Sequence, residues 1–177
     1  MTDHLTSASP TAVQLTFYTR DEQTIILGDG ADPFEVEEAG LTWLPETEHF
    51  GVHQDGRLVA HAGLVKIPIS IGGTDTEIVG LGGVAVAPGR RGQGLARLVV
   101  AAAVDYARTM GPPYGLLFCL PSLVPLYQRL GWSVLDQDVQ VERPEGPVVM
   151  PLRTMWMPLH DGVNWPAGPV RLLSLPM

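Results

Sequence analysis

The sequence predicts a mixed α/β (α+β) fold, a mostly antiparallel central sheet flanked by helices, on three observations. Alternating apolar runs cluster in the middle of the chain at His49–Gln54, Arg57–Ile69 and Glu77–Ala87, punctuated by Asp55-Gly56 and Gly72-Gly73. Helical spacing then takes over, with Leu95, Leu98, Val99, Ala102, Tyr106 and Ala107 on one stripe. Short apolar runs return after that helix. At 177 residues and 19.1 kDa, without a repeat or a long linker, residues 1–177 read as one domain.

Element by element, Met1–Thr11 is polar and small, and is expected to fray and stay flexible. Val13–Tyr18 alternates weakly, as a first strand does. Asp21–Leu27 and Phe34–Leu44 are short helical candidates, the second opened by Asp32-Pro33, a capping residue followed by proline at the first helical position. The three central runs form a meander, since Asp55-Gly56 is a strong hairpin turn. Gln93–Thr109 is an amphipathic helix stopped by Gly111-Pro112-Pro113. Gly115–Leu120 is a short buried strand, and Ser122–Leu130 a helix ended by Gly131. Trp132–Val141 and Leu152–Pro158 are read as a terminal β-hairpin around the loop Arg143–Pro151. The tail Asp161–Met177, with Pro166, Pro169 and Pro176, is read as extended.

Composition narrows the function. A hydrophobic content of 45% with 17% charge is that of a folded chain. No apolar run approaches the ~18 residues that span a bilayer, and no leader pattern opens the chain. Cys119 is the one cysteine, so no internal disulfide forms, and the expected location is the cytoplasm. A net charge of −8 argues against bulk nucleic acid and anionic membranes as partners. Asp29, Asp32, Glu35, Glu37, Glu38, Glu46 and Glu48 fall in one stretch without Lys or Arg. That stretch is either a solvated face or a lure for a cationic substrate. His4, His49, His53, His61 and His160 show no metal-ligand spacing on a helix, so no metal is expected.

The richest stretch is Arg91-Gly92-Gln93-Gly94-Leu95-Ala96, between an apolar strand and the long helix. The first N–H groups of a helix lack intrahelical acceptors, and the macrodipole adds about half a positive charge there. Glycines let the main chain approach an anion, so this turn is built for a pyrophosphate. Arg90, Arg91 and Arg97 gather around it.

Two motifs resemble those of the GNAT superfamily of N-acetyltransferases. One is Arg91-x-x-Gly94-x-Ala96 after the strand Gly83-Val84-Ala85-Val86-Ala87-Pro88. The other is Leu126-Tyr127-Gln128-Arg129-Leu130-Gly131-Trp132, about 35 residues on, with a strand between. Within the superfamily the chain looks most like the aminoglycoside 2′-N-acetyltransferases, through Ala60-His61-Ala62, Gly83–Val86 and Arg91–Leu95. The resemblance implies a GNAT-like fold and acetyl-CoA as acyl donor. It assigns the coenzyme to the backbone of Val84, Ala85 and Val86, and to Arg91, Gly92, Gln93, Gly94, Leu95, Ala96 and Arg97. The side chains of Val84 and Val86 read as core. Tyr127 matches the tyrosine that protonates the leaving thiolate, and a phenol with an ordinary pKa of about 10 has that proton to give at neutral pH.

That sub-family carries a glutamate just before the Gly-Val-Ala-Val run, where this chain has Gly82. The base therefore stays open among Glu77, His61, the acidic stretch Asp29–Glu48, a water wire and the Met177 carboxylate. Glu77 needs a bulge to reach the right face. His61, amid apolar neighbours, reads as a satisfied buried histidine before a base. Cys119 reads as inert core. The expected activity is acetyl transfer from acetyl-CoA to a primary amine of a small, cationic molecule. The alternatives are an inactive coenzyme-binding sensor or packing domain, and a protein N-acetyltransferase. A homodimer is compatible with the sequence.

Overall fold

The alternation in the centre of the chain becomes the longest pair of strands in the molecule. The computed structural model describes residues 8–27 and 39–177. In chain order it contains β1 (Val13–Leu15), α1 (Arg20–Leu27), β2 (Glu48–Gln54), β3 (Arg57–Ile71) and β4 (Thr74–Val86). There follow α2 (Leu95–Ala107), β5 (Tyr114–Cys119), α3 (Val124–Arg129), β6 (Ser133–Val134), β7 (Val139–Val141), β8 (Val148–Val149), β9 (Arg153–Pro158) and β10 (Val170–Leu172). Asp55 and Gly56 close the β2–β3 hairpin with φ of 53° and 74°, the paired positive angles that its tight turn requires.

The main sheet runs β6-β9-β5-β4-β3-β10-β7-β8. One edge of β3 is filled along its length by β4; the other is shared by β2 and β10. Side-chain alternation along β3 splits the core in two. Ala60, Ala62 and Leu64 face α2, whose Leu95, Val99, Val100 and Ala103 cover that side. Val65, Ile67, Ile69 and Ile71 face the opposite layer with Phe118, Val139, Leu172 and Met177.

Two features of β4 shape everything downstream. Its parallel pairing with β5 covers Val79–Leu81 against Gly115–Leu117, and beyond Leu81 the strands part. Against β3, the register slips between His61 and Gly63, so one extra residue of β4 bulges out. Gly83, at φ 58°, takes the left-handed conformation that the bulge needs.

Three expectations are corrected. Trp132–Val141 is not one strand and makes no hairpin with Leu152–Pro158. β6 pairs with β9 at one end of the sheet, whereas β7 lies between β10 and β8 at the other. The break falls at the polar Asp136-Gln137-Asp138, residue types a sheet interior disfavours. The first strand stops at Leu15, short of Tyr18. Of the helix expected at Phe34–Leu44, residues 34–38 lie outside the described residues, and 39–44 form a turn and an extended run. The tail is extended as expected, and its β10 is a full member of the sheet.

Candidate active site

The parting of β4 from β5 opens a cavity of about 880 Å³. One wall is the backbone of Gly82–Val86, the other is Leu117–Leu120 with Tyr127 of α3 behind it. Arg91 closes one end, and Tyr18, Glu46 and His49 line the other. Past Leu81 the β5-facing edge of β4 has no strand partner among the described residues, an open ladder of the kind that receives an extended ligand. Val84 and Val86 are half-buried: they pack against the core, as expected, and also line this opening.

The glycine turn sits at the end of that edge. Gly92 and Gly94 hold φ of 80° and 74°, and Gly94 is the N-cap of α2, with no side chain competing for the first-turn N–H groups. A Cβ on Gly94 would meet nothing within 4 Å, so the approach to those amides is open. Arg91 donates from Nε to the Val86 carbonyl at 3.2 Å, which ties the turn to the strand end. Arg97 is exposed on α2. Arg90 is drawn the other way, pairing with Asp55 of the hairpin at 3.0 Å, so it does not join the cationic rim expected of it.

Tyr127 is buried, and it reaches the cavity beside Cys119 and Leu123. Burial, with a smaller contribution from Cys119, raises its pKa, so the phenol keeps its proton. Cys119 is itself core: its thiol donates to the Met155 sulfur at 3.9 Å, and burial pushes it up to about 11.

The place of the glutamate missing at Gly82 is filled in space from elsewhere in the chain. Glu46, in the segment leading into β2, sets its Oε1 at 2.9 Å from where a Cβ on Gly82 would stand, and at 2.8 Å for Gly83. Its aliphatic stem lies over Gly63, where a Cβ would meet Glu46 Cγ. The approach therefore needs three glycines on two strands. Thr47, next in sequence, anchors the segment by donating its N–H to the Leu64 carbonyl at 2.8 Å. Burial raises the Glu46 pKa against the lowering from its own backbone N–H and from His49.

Of the other base candidates, Glu77 is exposed at the start of β4, paired with Pro68 and far along the strand from the bulge. His61 is fully buried; its Nδ1 lies 2.7 Å from the Gly83 carbonyl and its Nε2 2.9 Å from His49 Nδ1. The last residue of the chain, Met177, packs its side chain on Gly80 and its carbonyl carbon 3.0 Å from the Gly82 Cβ direction. Glu48 is turned away, accepting from Gln14 of β1 at 2.9 Å. Asp29, Asp32, Glu35, Glu37 and Glu38 lie outside the described residues. Glu46 was named in the sequence only as one acid among seven; no local motif marks it, because its role depends on glycines at 63, 82 and 83. Among the described residues no group of His, Cys, Asp or Glu forms a metal cluster, and no helix is long and apolar enough to cross a membrane.

A parted sheet beside a glycine-rich helix N-terminus, with a carboxylate and a phenol at one opening, has the layout of a group-transfer domain. A family model for the acetyltransferase (GNAT) domain matches residues 13–135, and the chain belongs to that family. Its fold is similar to the GNAT N-acetyltransferase YhbS of Escherichia coli in complex with CoA, at 21% identity and TM-score 0.60, covering 96% of this chain and 94% of that one. It is also similar to a Brucella melitensis GNAT acetyltransferase in complex with acetyl-CoA, at 18% identity and TM-score 0.54, over 90% and 94% of the two chains. A third is the Escherichia coli ribosomal-protein-S18-alanine N-acetyltransferase, at 17% identity and TM-score 0.54, over 87% and 99%. No curated protein matches the chain.

Proposed function

We propose that this GNAT domain transfers the acetyl group of acetyl-CoA to a primary amine of a small, cationic molecule, with Glu46 as general base and Tyr127 as general acid. The observation that carries the reading is that Glu46 and Tyr127 line the same opening in the sheet. The pyrophosphate lies on the amides of Gly92–Ala96 beside Arg91, and the pantetheine arm follows the free edge of Val84–Val86. The thioester then falls in the gap between β4 and β5. Glu46 takes a proton from the incoming ammonium, and the neutral amine nitrogen attacks the thioester carbon. The C–S bond then breaks as Tyr127 protonates the departing sulfur, and the second proton lost from the nitrogen restores the Tyr127 phenol. A cavity of about 880 Å³ suits a small acceptor and its donor arm. The acidic stretch and the motif likeness to the aminoglycoside 2′-N-acetyltransferases support a polycationic one.

Glu46→Gln tests the base, because it keeps the shape and removes only the proton acceptor. With spermidine, tyramine and an aminoglycoside as acceptors, kcat/KM is expected to fall by about 10²–10⁴ with acetyl-CoA affinity unchanged. The base must be ionised, and its pKa stands above the ordinary carboxylate value. Wild-type activity should therefore fall as pH drops through that raised value, and the limb should vanish in the variant. A variant as fast as wild type at every pH removes Glu46 from the mechanism.

A further inference from the structure

The bulge beneath Glu46 also turns the Gly83 carbonyl onto a buried histidine. A carbonyl only accepts, so at 2.7 Å His61 Nδ1 must carry the hydrogen. His61 is fully buried, and desolvation lowers it to about 4, so the ring is neutral at neutral pH. Its Nε2 is then a lone pair. His49 Nδ1, 2.9 Å away, must donate to it. A neutral His49 with hydrogen on Nδ1 has its own lone pair on Nε2, and no partner engages that nitrogen among the described residues. Tyr18 locks the pair from outside, stacked on His61 at 3.7 Å and 8° and tilted against His49 at 5.3 Å.

Every polarity in this array follows from one carbonyl. Free imidazole side chains favour the opposite tautomer, with hydrogen on Nε2, so an inverted His49 is a feature the fold imposes. The half-buried His49 ring lines the cavity with Glu46, and in its imidazolium form it lowers that carboxyl. The other ionisable groups around the pair are Tyr18, ahead of α1, and Glu22 of α1, which acts on His61 and Tyr18 while capping the helix through the Thr19 N–H at 2.9 Å.

We propose that the Gly83 carbonyl and His61 hold His49 with an open Nε2 lone pair, and that this nitrogen receives the acceptor's proton from Glu46. The inference rests on the reading of Glu46 as base. The step balances: the ammonium N–H gives its proton to the Glu46 carboxylate, and the carboxyl O–H gives it to His49 Nε2, directly or through one water. Glu46 is thereby restored as a carboxylate facing an imidazolium. The imidazolium Nδ1–H still donates to His61, whose own N–H ends on a carbonyl. His61 therefore carries no proton onward; it is a positioning residue, and the proton leaves His49 to solvent.

Two measurements on the ligand-free protein decide it. Nitrogen-15 histidine spectra at pH 8 are expected to show hydrogen on Nδ1 of both rings, and His49 reverting to Nε2–H in His61→Phe. Carbon-13 carboxyl titration of Glu46 is expected to move to higher pH in His49→Gln, which keeps a donor toward His61 but cannot form the imidazolium that lowers Glu46. Hydrogen on Nε2 of His49 in the wild type, or an unmoved Glu46 titration, overturns the proposal. Undiminished acetyl transfer by Glu46→Gln overturns the base reading itself, whatever the tautomers.

Discussion

At the scale of single residues, burial sets the proton positions. Tyr127 has its pKa raised by desolvation, so it holds the proton that its proposed role as general acid requires. Tyr127→Phe should lower kcat by about 10²–10⁴ with acetyl-CoA affinity nearly unchanged, measured by thiol release. A loss below about threefold is too small for a general acid. His61 leaves a thermodynamic trace as well. Its folded value of about 4 lies below its ordinary 6.5, so the native state binds fewer protons between those limits. Its contribution to stability is full above pH 6.5 and is lost as pH falls toward 4. The limiting size is about 3 kcal/mol. Glu46, shifted upward, works in the opposite sense, its ionisation costing stability as pH rises through its raised value. Urea unfolding of His61→Phe at pH 4.5 and 7.5 isolates the histidine: the variant should lose less stability on acidification than wild type does.

At the scale of elements, two glycine-dependent turns frame the proposed site, and they differ in what a side chain would meet. At Gly83 the obstacle is steric, with Glu46 Oε1 2.8 Å from a Cβ. At Gly94 there is open space, and the demand is the φ of 74° plus a clear path to the amides. Gly94→Ala isolates the backbone cost, which is about 1 kcal/mol for a left-handed position. Gly94→Asp adds an anion where the pyrophosphate belongs. By calorimetry, Gly94→Asp should bind acetyl-CoA far more weakly than Gly94→Ala, and equal affinities would remove the turn from the coenzyme site. The geometry of the turn was legible in the sequence because it is local: strand, glycines, helix, in that order. The central meander was legible for the same reason, through period-two alternation and the Asp55-Gly56 hairpin. The fate of Trp132–Val141 was not. Its two halves look alike in composition, and the choice between opposite ends of the sheet depends on which strand edges remain unfilled.

At the scale of the whole molecule, the net charge of −8 and the seven carboxylates between Asp29 and Glu48 are the sequence features that favour the proposed cationic acceptor. If these charges recruit a polyamine, kcat/KM should fall as salt rises, chiefly through KM, because exposed charges are screened beyond ~8–10 Å at physiological ionic strength. Changing Glu35, Glu37 and Glu38 to Gln should flatten the salt slope, read from initial rates with spermidine between low and physiological salt. An unchanged slope would mean that these carboxylates are only solvated surface.

What the sequence determined by itself is what short-range physics writes along the chain. It fixed the mixed sheet-and-helix architecture, the anion-ready turn from Arg91 to Ala96, and the motif that singles out Tyr127. The tertiary structure alone decided where a carboxylate stands relative to that turn. Gly82 reads in sequence as the loss of a glutamate, but in space it is the vacancy that admits Glu46 from 36 positions earlier. The same is true of the histidines, twelve residues apart in sequence. Register across β2 and β3 brings their rings together, and a one-residue bulge in a third strand orients them. Proximity between strands is set by ladder register and by the absence of side chains on the facing strand. Neither quantity is carried by a residue's immediate neighbours.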